Sequence, residues 1–205
     1  MFLNKNKLLS LIDSQELIIK PLLDKDCQIG EISIDFRLGY DFLVSIQGRD
    51  SFINASLNEE KDRAINSFFQ ETRRTIGETF LLHPNQTVLA TSLEYVKIPK
   101  NTFAIINMRS SYNRLGISLS TIIQPGYCGC ISLELTNNNN NPVNLAVGAL
   151  LFQARFVQLD EPCNYFSKKR KYICQVRPIV SAINEDSDLL ILNYLWKLNN
   201  HSVHS

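Results

Sequence analysis

From residue 129 to residue 136 the sequence reads GCISLELT, and apolar and polar residues alternate one by one. That period belongs to a half-buried strand, with Ile131, Leu133 and Leu135 on one face and Ser132, Glu134 and Thr136 on the other. A chain built around it needs a sheet with a core on one side. Just before it, Gln124-Pro125-Gly126-Tyr127 reads as a turn, since proline presets φ for the bend and glycine permits a positive φ after it. Upstream again, Arg109-Ser110-Ser111-Tyr112-Asn113-Arg114 packs two guanidiniums and two serine hydroxyls into six residues. Glu134 is thus a carboxylate turned away from the core, near a turn and within reach of a cationic loop.

The flanking sequence continues the theme. Residues 7–12 form a short amphipathic helix, residues 17–21 are extended, and residues 33–39 alternate as a strand that ends at Gly39. Residues 56–74 are the most polar part of the body; residues 59–63 start a helix or an excursion anchored by Phe68 and Phe69. Residues 80–82 and 87–91 flank the turn at 83–86, and residues 95–99 and 103–106 add further short strands. The five asparagines 137–141, closed by Pro142, read as a hairpin loop because alternation resumes at Val143. Residues 150–156 form the next strand, largely apolar. Short β-runs broken this often by turns predict a barrel or a jelly-roll-like sandwich.

At 205 residues and 44% hydrophobic, the chain can bury one sizeable core. The net charge of +1 supplies no basic field, so a nucleic-acid polymer is not the expected partner. No apolar run approaches the ~20 residues that span a bilayer, and polar residues are interspersed throughout residues 1–13, so a cytoplasmic protein is expected. Five cysteines, two of them at 128 and 130, suit free buried thiols in a reducing compartment better than a disulfide framework. A catalytic zinc is not expected, because the zinc-site signature of an H-x-E with a P-C-x-x-C is not met. Here His83, His201 and His204 lack the first, and Pro162-Cys163 is followed by Asn-Tyr-Phe.

RSSYNRLG followed by QPGYCGCISLEL resembles the RSS-x-x-R-x-G and I-D-P-G-[WY]-x-G-x-x-x-L-E signatures of the deoxycytidine triphosphate deaminases, members of the trimeric dUTPase-like superfamily. Residues 34–39, IDFRLG, resemble that family's V-D-[LV]-R-L-G strand, a structural role in which Asp35 and Arg37 would form a partly buried ion pair. Residues 163–181 resemble the family's closing segment, P-Y…K-Y-x-x-Q-x-x-P-x-x-S. Lys171, Tyr172, Gln175, Pro178 and Ser181 fall in place, and Tyr165 corresponds to the first tyrosine although Cys163 occupies the position after the proline. The cluster 168–171 would otherwise read as a solvated loop. The resemblance spans roughly residues 7–184, within one domain of residues 1–184. Residues 185–205 lie beyond it as a short helix in which Leu189, Leu190, Leu192, Leu195, Trp196 and Leu198 form one apolar stripe, either docked on its own trimer or binding a partner.

The resemblance implies a mainly β, dUTPase-like distorted β-barrel or jelly-roll (β-clip) with a few short helices, assembled as a homotrimer with active sites between subunits. It implies hydrolytic deamination of dCTP to dUTP and ammonia. Glu134 would shuttle the protons, and Ser110 and Arg114 would orient the water and stabilise the tetrahedral centre. Arg109 and Ser111 suit phosphate, to which guanidinium forks and hydroxyls are matched. Tyr127 stands under the deoxyribose, and Ser132, Tyr165, Lys171, Tyr172 and Gln175 complete the substrate contacts, with the lysine near phosphate. Mg²⁺ would arrive on the triphosphate. Gln124 departs from the family, which has Asp there near the sugar 3′-hydroxyl, and the stretch 116–124 is shorter. Two alternatives stand beside deamination. One is a bifunctional enzyme that continues to dUMP, which a neutral residue at 124 disfavours. The other is a regulatory nucleotide-binding module, which the altered turn favours and intact Glu134, Ser110 and Arg114 oppose.

Overall fold

The computed structural model describes residues 1–46, 53, 55, 65–167 and 170–201. The excursion expected at 59–63 and Lys168 and Lys169 of the charge cluster lie outside the described residues. The chain divides into two compact units, Met1–Ser45 with Glu71–Ile179, and Ile46–Gln70 with Val180–Ser205.

Alternating patterns become strands along the whole larger unit: β1 (Ile18–Lys20), β2 (Ile34–Ser45), β3 (Phe69–Arg73, which enters it from the smaller unit), β4 (Thr79–Leu82), β5 (Thr87–Lys97), β6 (Thr102–Met108), β7 (Ile117–Ser118), β8 (Ser120–Ile123), β9 (Cys128–Asn137), β10 (Val143–Ala146) and β11 (Leu150–Gln158). Three short helices accompany them, α1 (Lys5–Asp13), α2 (Lys25–Gln28) and α3 (Ser110–Asn113). The Asn4 side chain caps α1 by accepting from Lys7 N–H, and Leu8 and Leu11 bury its apolar side. The main sheet runs β7-β9-β5-β2-β11-β6-β8 through antiparallel neighbours, with β1 added on β5. β8, at the far end of that order, comes back beside β9, so the sheet curls into the barrel-like form expected. β10 and β4 make a second, two-stranded sheet. Inside, Phe36 stacks on Phe152 and Phe42 on Phe80, with centroids 5.6 and 4.1 Å apart.

Three sequence expectations are corrected. β2 does not stop at Gly39 but passes through it, because the glycine lets β5 come close: a Cβ there would lie 2.6 Å from Thr91 O. Residues 87–91 and 95–97 are not separate strands but one, β5, whose pairing with β9 shifts register between Thr91 and Tyr95. The asparagine run is not a hairpin, since β10 pairs with β4 rather than with β9. It is an ordered crossing whose side chains bond backbone: Asn137 Nδ2 donates to Leu82 O and Asn141 O, and Oδ1 of Asn137 and Asn139 accept from Asn139 and Asn141 N–H.

The smaller unit carries a 3₁₀ turn at Ile65–Phe68, where Phe68 O accepts from Ile46 N–H, a second at Ile183–Glu185, and helix α4 (Ser187–His201). Apolar residues stand exposed at Ile191, Leu192, Tyr194, Leu195, Trp196 and Leu198. Among the described residues no helix is long and apolar enough to cross a membrane.

Candidate active site

β6 ends at Met108 and the chain turns sharply at Arg109, whose carbonyl accepts from Tyr112 and Asn113 N–H to open α3. Arg109 N–H is itself tied to Leu151 O on β11. Its guanidinium is held on two sides. Nε stands 3.0 Å from Asp35 Oδ2 and Nη1 donates to Leu150 O at 2.9 Å. Nη2 has no protein partner among the described residues. Beside it Ser110 and Ser111 expose hydroxyls, and the three residues line an open cleft of about 420 Å³ with Cys27, Ser33, Asp35 and Gln153. Burial raises the Asp35 pKa above its usual value despite the opposing pull of Arg109.

Asp35 and Arg37 share a strand face but do not pair, which corrects the expected ion pair. Arg37 Nη1 donates instead to Gly148 O at 2.9 Å, while the loop from β6 brings Arg109 to Asp35. A second pairing lies further along β2: buried Asp41 is 3.3 Å from Arg73 Nε and 3.6 Å from Arg177 Nε.

β9 presents its faces as the alternation requires. Ile131, Leu133 and Leu135 are buried, Ser132 is half-buried and Glu134 is exposed. Two positions along one strand face bring Ser132 Oγ to Glu134 Oε1, a bond of 3.2 Å. The preceding turn closes with Tyr127 N–H to Gln124 O, and Gly126 takes φ 77°, the positive value needed after the proline of a type II turn. Gln124 is exposed on it. Tyr127 is buried, its hydroxyl donating to Cys130 O at 2.6 Å, and burial holds its phenol firmly neutral.

The closing segment lies against the start of β9. Tyr165 is buried and meets Tyr127 edge to face at 6.0 Å, while Arg170 sits over its ring at 5.1 Å. Tyr165 Oη donates to Tyr172 O at 3.4 Å. Lys171 is half-buried and Tyr172 exposed. Gln175 O accepts from Cys130 N–H at 2.7 Å, which carries the Gln175 side chain inward. Among the described residues neither Nε2 nor Oε1 of that buried amide has a partner, and a buried amide without a partner marks a place for a ligand group or a water.

The expected residues therefore form two groups within one chain. Arg109, Ser110 and Ser111 share the cleft; Tyr127, Tyr165 and Gln175 cluster at the start of β9. Among the described residues, no hydrogen bond or ion pair joins Glu134 to the loop from Arg109 to Arg114, and Arg114 is exposed. Sequence reasoning missed Cys27, Ser33 and Gln153. Ser33 was legible as a cleft residue, because it shares the alternation face of Asp35; Gln153 enters only through the pairing of β11 with β2. All five cysteines are free, yet only Cys130 is buried, which corrects the expectation of buried thiols. Among the described residues no group of three or more His, Cys, Asp or Glu side chains is gathered.

A family model described as dCTP deaminase-like matches residues 2–159. The chain is 34% identical over 193 residues to the dUMP-forming dCTP deaminase of Dictyoglomus turgidum, covering 91% of this chain and 96% of that protein. It is 35% identical over 183 residues to the dCTP deaminase of Natronomonas pharaonis, with 86% and 92% covered. Among solved structures, 2′-deoxycytidine 5′-triphosphate deaminase from Agrobacterium tumefaciens is similar at a TM-score of 0.57 and 25% identity, over 76% of this chain and 46% of that one.

Proposed function

The chain belongs to the dCTP deaminase-like family, and from that premise we propose that it hydrolyses the 4-amino group of dCTP, releasing dUTP and ammonia. The observation that carries this reading is the cleft in which Arg109, aimed by Asp35, stands with the hydroxyls of Ser110 and Ser111. Nη2 and the two hydroxyls offer donors that phosphate oxygens accept. Mg²⁺ enters as part of the substrate. Among the described residues the one carboxylate lining the cleft, Asp35, is engaged by Arg109, so the donor set suits a metal that keeps its waters and rides on the phosphates.

Deamination needs a water deprotonated as it adds to C4, a proton on N3, and departure of ammonia from the tetrahedral carbon. A single carboxylate can carry these protons in turn, and Glu134 is the group for it, steadied by Ser132. Ser110 and Arg114 orient the water and balance the charge. Gln175 reads the base or sugar with its unpaired amide, and Tyr165, Lys171 and Tyr172 complete the closing segment around the nucleotide. Since Glu134 and the Arg109 loop are not bonded within one chain, the reading takes a homotrimer in which one subunit's β9 faces another's loop. The free thiols suit the cytoplasm.

A second reading, continuation to dUMP, is favoured by the name of the Dictyoglomus relative. Against it stands Gln124, whose amide has no useful basicity for activating water beside the α-phosphate. Incubation with dCTP, followed by chromatography of nucleotides and assay of pyrophosphate, separates the two. dUTP without pyrophosphate is the expected product; equimolar dUMP and pyrophosphate would establish the second reading, and no ammonia would remove both. Light scattering showing a monomer at micromolar concentration would reject the trimer.

A further inference from the structure

Cys128 opens β9, and Cys174 lies 46 positions later in the closing segment, yet their sulfurs are 3.0 Å apart. That is about 1 Å more than the ~2.05 Å of a disulfide bond. The backbones are already in register beside each other. Cys174 N–H donates to Cys128 O at 3.1 Å, and further along β9 Cys130 N–H donates to Gln175 O at 2.7 Å. Cys174 holds φ at 51°, a conformation rare for a residue with a side chain and kept only where surrounding contacts over-determine it. Access sets this pair apart from its neighbour. Cys174 is exposed and Cys128 half-buried, whereas Cys130 is buried.

We propose that Cys128 and Cys174 are a reversible redox-modification site, whose disulfide fastens the closing segment to β9. The oxidant is a low-molecular-weight disulfide. One thiolate of the pair attacks a sulfur of that disulfide, forming a mixed disulfide and expelling one small thiolate. The second protein thiolate then attacks the mixed bond and expels the other. Two protein thiols lose two electrons and two protons, and one small disulfide becomes two small thiols. The consequence rests on the deaminase reading: the fastened stretch carries Lys171, Tyr172 and Gln175, so oxidation stops the segment from opening for nucleotide exchange and slows turnover.

The test begins without nucleotide, so that it stands or falls apart from the enzyme reading. Full-length protein is treated with oxidised glutathione, and its disulfides are mapped by mass spectrometry. The expected result is one intrachain link between Cys128 and Cys174, removed by dithiothreitol, with Cys27, Cys130 and Cys163 retained as thiols. Hydrogen exchange at the amides of Cys130 and Cys174 should slow about tenfold or more on oxidation, as a crosslink suppresses local opening. Neither change should appear in Cys128→Ser or in Cys174→Ser, either of which suffices should the other fold poorly. Preferential oxidation of Cys27 or Cys163, or a link that leaves exchange unchanged, would overturn the site. In a protein that turns over dCTP when reduced, oxidation should slow the wild type and leave Cys128→Ser at its own untreated rate. Equal turnover of oxidised and reduced wild type would overturn the regulatory consequence, while absence of turnover in the reduced protein would count against the deaminase reading alone.

Discussion

Arg109 Nε and Asp35 Oδ2 are 3.0 Å apart, and this contact sets which edge of the guanidinium faces the cleft. With Nε on Asp35 and one Nη1 N–H on Leu150 O, Nη2 has no partner among the described residues and is the nitrogen best placed to meet an anion. Asp35→Asn keeps the shape but removes the charge that fixes the fork. A charge-assisted hydrogen bond contributes ~1.5–3 kcal/mol, so the KM for dCTP should rise about tenfold or more. kcat should move little, because the reacting carbon is not touched. Steady-state kinetics of the variant check this; an unchanged KM would mean that Leu150 O alone orients Arg109.

Glu134→Gln should lower kcat by ~10²–10⁴ while KM stays within a few-fold. The amide retains the shape and the bond to Ser132 Oγ but has no basicity to take a proton from water. Single-turnover assays with dCTP, alongside equilibrium nucleotide binding, separate the two effects. Wild-type turnover in this variant would assign the proton shuttle elsewhere.

Gly39→Ala tests the close approach of β2 and β5. A methyl group at this position would meet Thr91 O at 2.6 Å and Ser92 O at 3.2 Å, both backbone atoms of a central strand. Overpacking of this kind costs about 2 kcal/mol or more, and Tm should fall by several degrees. A thermal melt indistinguishable from wild type would show that the strands can separate without loss.

Glu94 makes stability depend on pH. Its side chain is fully buried, accepting from Gln28 Nε2 and Arg37 N–H at 3.0 Å each, and burial pushes its pKa from 4.5 up to about 7. Between these values the folded protein keeps a proton that the unfolded chain has lost. Stability from this group is therefore greatest below pH 4.5, falls as pH rises to about 7, and is level above it. The fall amounts to roughly 3 kcal/mol. Urea unfolding at pH 5, 6, 7 and 8 should show the decline in wild type and a flatter profile in Glu94→Gln, whatever the variant's absolute stability. Parallel profiles would remove Glu94 as its source.

Local chemistry carried much of this molecule. The alternation at 129–136 determined that Glu134 leaves the core while Leu133 and Leu135 enter it, because side chains of a strand change face at every residue whatever the strand pairs with. The proline and glycine of 124–127 determined a type II turn for the same reason, since φ preferences belong to the residues themselves. Motif spacing placed the Arg109 loop before that turn. What only the tertiary structure decided are the partners. Asp35 met Arg109 rather than Arg37, Val143–Ala146 joined β4 rather than β9, and Cys174 came to rest on Cys128 across 46 positions. Each of these contacts depends on which distant segments the folded sheet brings side by side. A short-range pattern records the face a residue occupies, but the energy that selects its neighbour comes from packing the whole core at once.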